Sequence, residues 1–264
     1  MRHAALVALC LLGGCAAEGG GGTVVIPARA AHVPPFAAVP YEPIHRAAIV
    51  AIAQREWRLF GSPVDDDPPG PRPTFDKPER DEGLWQRVGE YWFAAMPPES
   101  VEVGWTGKHD GRGVEFSARR DGFYAWSAAF ISYVMRIAGA GDAFPYSATH
   151  ADYINAAASG RAPLLIAHAP RDYAPRPGDV ICMGRDGAEA ITLATLTGRR
   201  FPGHCDIVVA GEPGQLSVIG GNVDDAVTMK HVPVSPNGRL ADDDGRVLDQ
   251  RWPWFVALEV RSGD

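Results

Sequence analysis

No glycine-rich phosphate loop and no dinucleotide fingerprint occurs in this chain, so nothing in it calls for a nucleotide, flavin or haem cofactor. The CxxC and HxxxH spacings of zinc sites are missing too, and no metal is expected. Positive charge is in deficit: 25 Lys and Arg stand against 32 Asp and Glu, a net charge of −7. That balance argues against nucleic acid, or an anionic membrane surface, as the main partner. No apolar run reaches the ~20 residues that a membrane-spanning helix requires. Cysteine is scarce, with four in 264 residues: Cys10, Cys15, Cys182 and Cys205.

What is present begins with a short secretory pattern. Arg2, an apolar stretch from Ala4 to Leu12, then Gly13 and Gly14 predict a signal peptide over residues 1–14. Leu12, Gly13, Gly14 and Cys15 resemble a bacterial lipobox, which implies that Cys15 is acylated and becomes the mature N-terminus. Each buried methylene of such an anchor adds about 0.8 kcal/mol. Ala16 rather than Asp at the next position implies the outer membrane, with the protein facing the periplasm of the bacterial cell envelope. Residues 15–40, with consecutive Gly19 to Gly22 and with Pro27, Pro34, Pro35 and Pro40, read as a flexible tether.

Residues 41–264 then suffice for a single domain with an N-terminal helical extension. Apolar residues at helical spacing predict helices from Pro43 to Phe60, from Leu84 to Ala95, from Ser127 to Ala138 and from Ala148 to Ala158. Pro- and Asp-rich sequence at 62–82 and glycine-rich sequence at 104–122 predict loops, the second long enough to border a site. After Pro177 and Gly178 the texture changes to short β-branched runs at 179–183, 191–196, 206–210, 215–219, 226–232 and 254–260. Helices followed by strands predict an α+β fold with an antiparallel sheet packed on the helix that starts at Ser127. Cys182 and Cys205 fall in two of these strands, where they form either a disulfide or two buried thiols.

Three segments carry a likeness to a known active-site frame. Trp126, Ser127, Ala128, Ala129 and Phe130 match a W-C-A-A-F element with serine at the cysteine; Pro177, Gly178, Asp179 and Val180 match a strand start; Gly203 and His204, then Gly221 and Asn222, match its G-H and G-N pairs. In this the chain resembles the NlpC-type peptidases and CHAP amidases, papain-like enzymes of the bacterial cell wall, over roughly residues 120–235. More closely it resembles the bacterial family known as domain of unknown function 2272. The resemblance implies a papain-like fold, Ser127 as nucleophile, His204 as base, and peptidoglycan or cell-wall peptides as the partner.

Serine in place of cysteine changes the chemistry required. A cysteine at a helix N-terminus beside histidine is largely thiolate before substrate arrives. A serine hydroxyl loses its proton only in the transition state, so the base carries more of the burden. Asn222 can orient an imidazole but cannot stabilise imidazolium as a carboxylate does, and asparagine for the triad aspartate of a serine protease costs about 10⁴ in turnover. Asp206, two residues along the strand from His204, points to the same face and is the alternative orienting group. Tyr124, Trp126 and His150 are candidate substrate-binding residues, His150 with Asp152 and Tyr153 beside it. Trp105, His109 and Asp110 are candidates to gate the cleft, and Asp242 to Asp244 read as a solvated turn. Three readings stay open: an amide hydrolase of peptidoglycan stem peptides, a catalytically inactive module that binds the same ligands or a protein, and a structural tether between outer membrane and wall.

Overall fold

Helix α1 (Arg46–Leu59) buries Ile49 and Ala53 on one side and stops at Gly61, whose φ of 86° no other residue type adopts cheaply. The computed structural model describes residues 43–68 and 77–263. The segments expected to be a signal peptide and a tether, with the expected lipidation site Cys15, lie outside these described residues. Helix α2 (Leu84–Ala95) starts where Gln86 Oε1 accepts the orphan N–H of Gly83 at 2.7 Å and ends before Pro97, which cannot continue it. Helix α3 (Ser127–Ile137) is buried from Ser127 through Met135, and helix α4 (His150–Ala158) is nearly as enclosed.

One fully buried carboxylate ties three of these helices together. Glu56 of α1 accepts from Arg87 Nε and Nη2 of α2, both at 2.6 Å, and from the Tyr91 hydroxyl at 2.8 Å. Tyr133 of α3 closes the cluster at 3.4 Å from Glu56 and also bonds Arg87. A buried charge is tolerated only when paired and hydrogen-bonded in this way.

The sheet has the order β1-β6-β2-β3-β4-β5, with every neighbouring pair antiparallel. Its strands are β1 (Leu165–His168), β2 (Val180–Gly184), β3 (Gly203–Glu212), β4 (Gln215–Val223), β5 (Ala226–Pro233) and β6 (Trp254–Val260). Side chains alternate across it. Cys205, Ile207 and Val209 join the core shared with the helices, whereas Val208, Val218 and Val232 pack on the other face with Leu240, Trp252 and Trp254. Burial on both faces explains why these strands read as continuous apolar runs instead of clean alternations.

The α+β expectation is met by this layout of helices against one antiparallel sheet. Two details differ. Residues 191–196 are not a strand but a turn around a 3-10 helix, Leu193–Thr195, because Thr192 Oγ1 accepts from the Thr195 N–H at 3.2 Å. Strand β1, four residues long at the sheet edge, is too short to show a period in the sequence.

The Pro-Gly-Asp segment serves as a joint. Asp179 is fully buried and its carboxylate accepts from Arg46 Nη1 of α1 at 2.5 Å, from Val260 N of β6 at 2.9 Å and from the Tyr173 hydroxyl at 2.8 Å. Cys182 and Cys205 are direct cross-strand partners of β2 and β3 and form a disulfide, with their Cα atoms 4.1 Å apart. No helix among the described residues is long and apolar enough to cross a membrane.

Candidate active site

Ser127 is the first residue of α3, and its Oγ lies 2.7 Å from Nε2 of His150, the first residue of α4. Both side chains are buried, each residue retaining 4 % exposure. The other imidazole nitrogen, Nδ1, bonds the Tyr153 hydroxyl one helical turn on. Burial holds the His150 imidazole well below its ordinary 6.5, with the nearby charges of His204, Arg185 and Lys230 acting in the same direction. The ring is therefore neutral near pH 7, and its free lone pair can accept a proton from Ser127. For Nε2 to accept, Nδ1 must carry the hydrogen and donate it to Tyr153, whose own ionisation burial pushes far up.

His204, expected as the base, stands elsewhere. Position 204 shares its strand face with 206 and 208, the face turned away from α3, while Cys205 and Ile207 point toward the helices. Its Nε2 meets Asp206 Oδ1 at 2.8 Å, and Lys230 Nζ approaches the same nitrogen at 3.4 Å. Lys230 of β5 binds the other carboxylate oxygen of Asp206 at 2.7 Å. Burial alone would raise the Asp206 carboxyl; Lys230 and His204 outweigh it and hold it well below the usual carboxylate range. Burial lowers the His204 imidazole, with Asp206 opposing and Lys230 assisting. The rings of His150 and His204 meet at the end of the sheet with centroids 5.3 Å apart, so the two clusters adjoin.

The chain makes room for this by omitting side chains. A Cβ at Gly220 would fall 1.8 Å from Asp206 Oδ1, and one at Gly221, on the opposite face, would fall 2.5 Å from Phe130 Cβ of α3. Two successive glycines thus let the histidine cluster close on one face and the Ser127 helix on the other. Asn222 follows with φ 56° and lines a cavity beside His204, but among the described residues it makes no hydrogen bond to either histidine. Of the two expected orienting groups, the one bonded to His204 is Asp206.

The aromatic candidates are packed into the body. Trp126 is fully buried, stacked with Phe60, and donates its indole N–H to Glu79 Oε2 at 2.5 Å. Burial pushes the Glu79 carboxyl up to about 8, with Asp225 and Asp121 contributing against the Trp126 hydrogen bond. Tyr124 lies flat on Phe116 at 3.9 Å and edge-on to Trp105, which in turn packs on Trp92. His109 sits against Trp85, and Asp110 caps its own turn through the N–H groups of Arg112 and Val114. Asp242 does likewise with Arg246.

Sequence reasoning passed over Lys230 and Glu79. A signal existed for Lys230: it shares a strand face with Thr228 and Val232, an inward series in which a lysine is out of place without a buried partner. No curated protein matches this chain, and no solved structure does. Residues 79–260, well over half of the chain, match the family described as "Uncharacterized protein conserved in bacteria (DUF2272)", and the chain belongs to that family.

Proposed function

We propose that this protein is an amide hydrolase with a papain-like fold but with its base on a helix instead of a strand, acting on peptides of the bacterial cell wall from a lipid anchor at Cys15. Ser127 is the nucleophile and His150 the base. The observation that carries the reading is the 2.7 Å contact between Ser127 Oγ and a neutral imidazole at the start of a helix. His150 takes the hydroxyl proton as Oγ attacks the carbonyl carbon, then returns it to the departing amine. The first backbone bond of the helix runs from Phe130 N to Trp126 O at 2.9 Å, so the N–H groups ahead of it have no acceptor within the helix. Those groups supply the positive end of the helix dipole where the oxyanion develops. Tyr153 fixes the tautomer of His150, and the His204–Asp206–Lys230 cluster holds the far wall.

A second reading has an observation of its own. Ser127 and His150 are almost closed off, and the group behind His150 is a phenol instead of a carboxylate. A module that binds a cell-wall peptide or a protein without cutting it would tolerate both. Digestion of purified peptidoglycan and muropeptides, with products read by mass spectrometry, separates the readings. New fragments from wild type that vanish with Ser127→Ala and with His150→Ala establish the hydrolase and identify its bond. Cleavage gained only with Ser127→Cys marks a disabled nucleophile in an intact cleft, and no cleavage by any variant leaves binding or tethering.

A further inference from the structure

On the sheet face turned away from α3, beside His204, lies a cavity of about 380 Å³. Its wall takes in Asn222 and Lys230 but neither Ser127 nor His150, and Trp252 gives it an aromatic side. Two of its cations are spent within the fold. Lys230 is paired with Asp206. Arg251 binds Asp249 at 3.0 Å and the Asp66 carbonyl at 2.8 Å, with its guanidinium over the Trp252 ring at 4.3 Å.

Arg185 is different. Its side chain is about half exposed, and its one ion pair among the described residues is to its sequence neighbour Asp186, at 3.4 Å. It is close enough to both imidazoles to lower them. The same wall carries Glu189, whose two carboxylate oxygens share the Gly187 N–H at 3.1 and 3.0 Å and keep lone pairs to spare. A planar guanidinium suits a carboxylate bidentately, and carboxylates suit an ammonium. A ligand of one charge sign would meet repulsion from part of this wall; one carrying both signs would not.

We infer that this cavity binds a zwitterionic amino acid or dipeptide with both termini free, Arg185 taking the carboxylate and Glu189 the ammonium. The inference deepens the hydrolase reading by naming the two free termini as what is recognised, yet the binding itself does not require Ser127 to attack. The test is calorimetric titration of the full-length Ser127→Ala protein with alanyl-alanine, its N-acetyl form and its C-terminal amide. The free dipeptide should bind one to one, and blocking either end should weaken it about tenfold or more. Adding Arg185→Gln should weaken the free and N-acetyl forms about tenfold while leaving the amide unchanged, and Glu189→Gln should weaken the free and amide forms while leaving the N-acetyl form unchanged. Both side chains lie at the surface, so the fold is kept. Equal affinity for free and blocked forms, no heat with any form, or indifference to Arg185→Gln would overturn the inference. Cleavage is read separately on wild type, so an inert Ser127 would leave a positive binding result standing.

Discussion

A methyl group at position 220 has nowhere to go. It would overlap Asp206 Oδ1 and approach His204 Nε2 to 2.9 Å, and Asp206 is held in place by its bonds to both His204 and Lys230. Gly220→Ala should therefore cost about 3 kcal/mol, at the upper end of overpacking, measured by urea unfolding. Asp206→Ala acts through charge in place of volume. It strands the Lys230 ammonium at 2 % exposure without a counter-ion and should cost about 3–5 kcal/mol. Combining it with Lys230→Met should restore much of that loss, which a double-mutant cycle reads directly. At Ser127 the expected signature is kinetic. Because the His150 base is held well below 6.5, hydrolysis should stay flat as pH falls through 6.5, and a pH–rate profile breaking at 6.5 would count against His150 as base.

Between elements, the joints are buried polar groups and one covalent bond. The Cys182–Cys205 bridge pins β3, the strand of His204, to β2 across a separation of 23 residues. Removing both sulfurs as Cys182→Ala/Cys205→Ala should lower stability by about 2–4 kcal/mol, and reductant should lower the wild-type Tm but not that of the variant. The helices and most of the sheet were legible because each buries a stripe or face whose period survives in the sequence. Strand β1 and the 191–196 turn were not: one is too short for a period, and the other was decided by a threonine cap, a contact that hydrophobic patterning does not encode. The site divides in the same way. Ser127 at a helix start and Asp206 two residues beyond His204 could be read locally. The pairing of Ser127 with His150 could not, since it depends on where the N-terminus of α4 lands relative to α3. Strand parity did hold a warning about His204. With Cys205, Ile207 and Val209 facing the helices, His204 must face the other way.

For the whole molecule, burial of titratable groups sets a stability optimum. His150 and His204 are lowered in the folded state, so below 6.5 the unfolded chain binds protons that the folded chain refuses, and stability is lost as pH falls through 6.5. Asp206 adds a loss at still lower pH, below its ordinary 3.8. Glu79 has the opposite sign. Its folded value near 8 against an ordinary 4.5 means that the folded state keeps a proton the unfolded chain gives up, so stability drains away as pH rises from 4.5 to about 8. The histidines act on the acid side and Glu79 against them, so unfolding free energy should peak between pH 4.5 and about 8. Glu79→Gln should flatten the alkaline side and steepen the rise in stability above pH 4.5 on the acid side, as denaturant midpoints across pH will show.

The Asp179 joint bears on how the body answers a pull. Arg46, near the point where the chain enters the described structure, reaches Asp179 and the Val260 carbonyl, and Gly263 N lies 3.3 Å from the Ile44 carbonyl. Entry and exit of the chain are thus clamped side by side at β6 and the start of β2. Tension arriving through Pro43 would be borne as shear across that clamp. The bonds of that clamp involve none of Ser127, His150 and Arg185, so a pull on the leading segment would load Arg46 and Ile44 first.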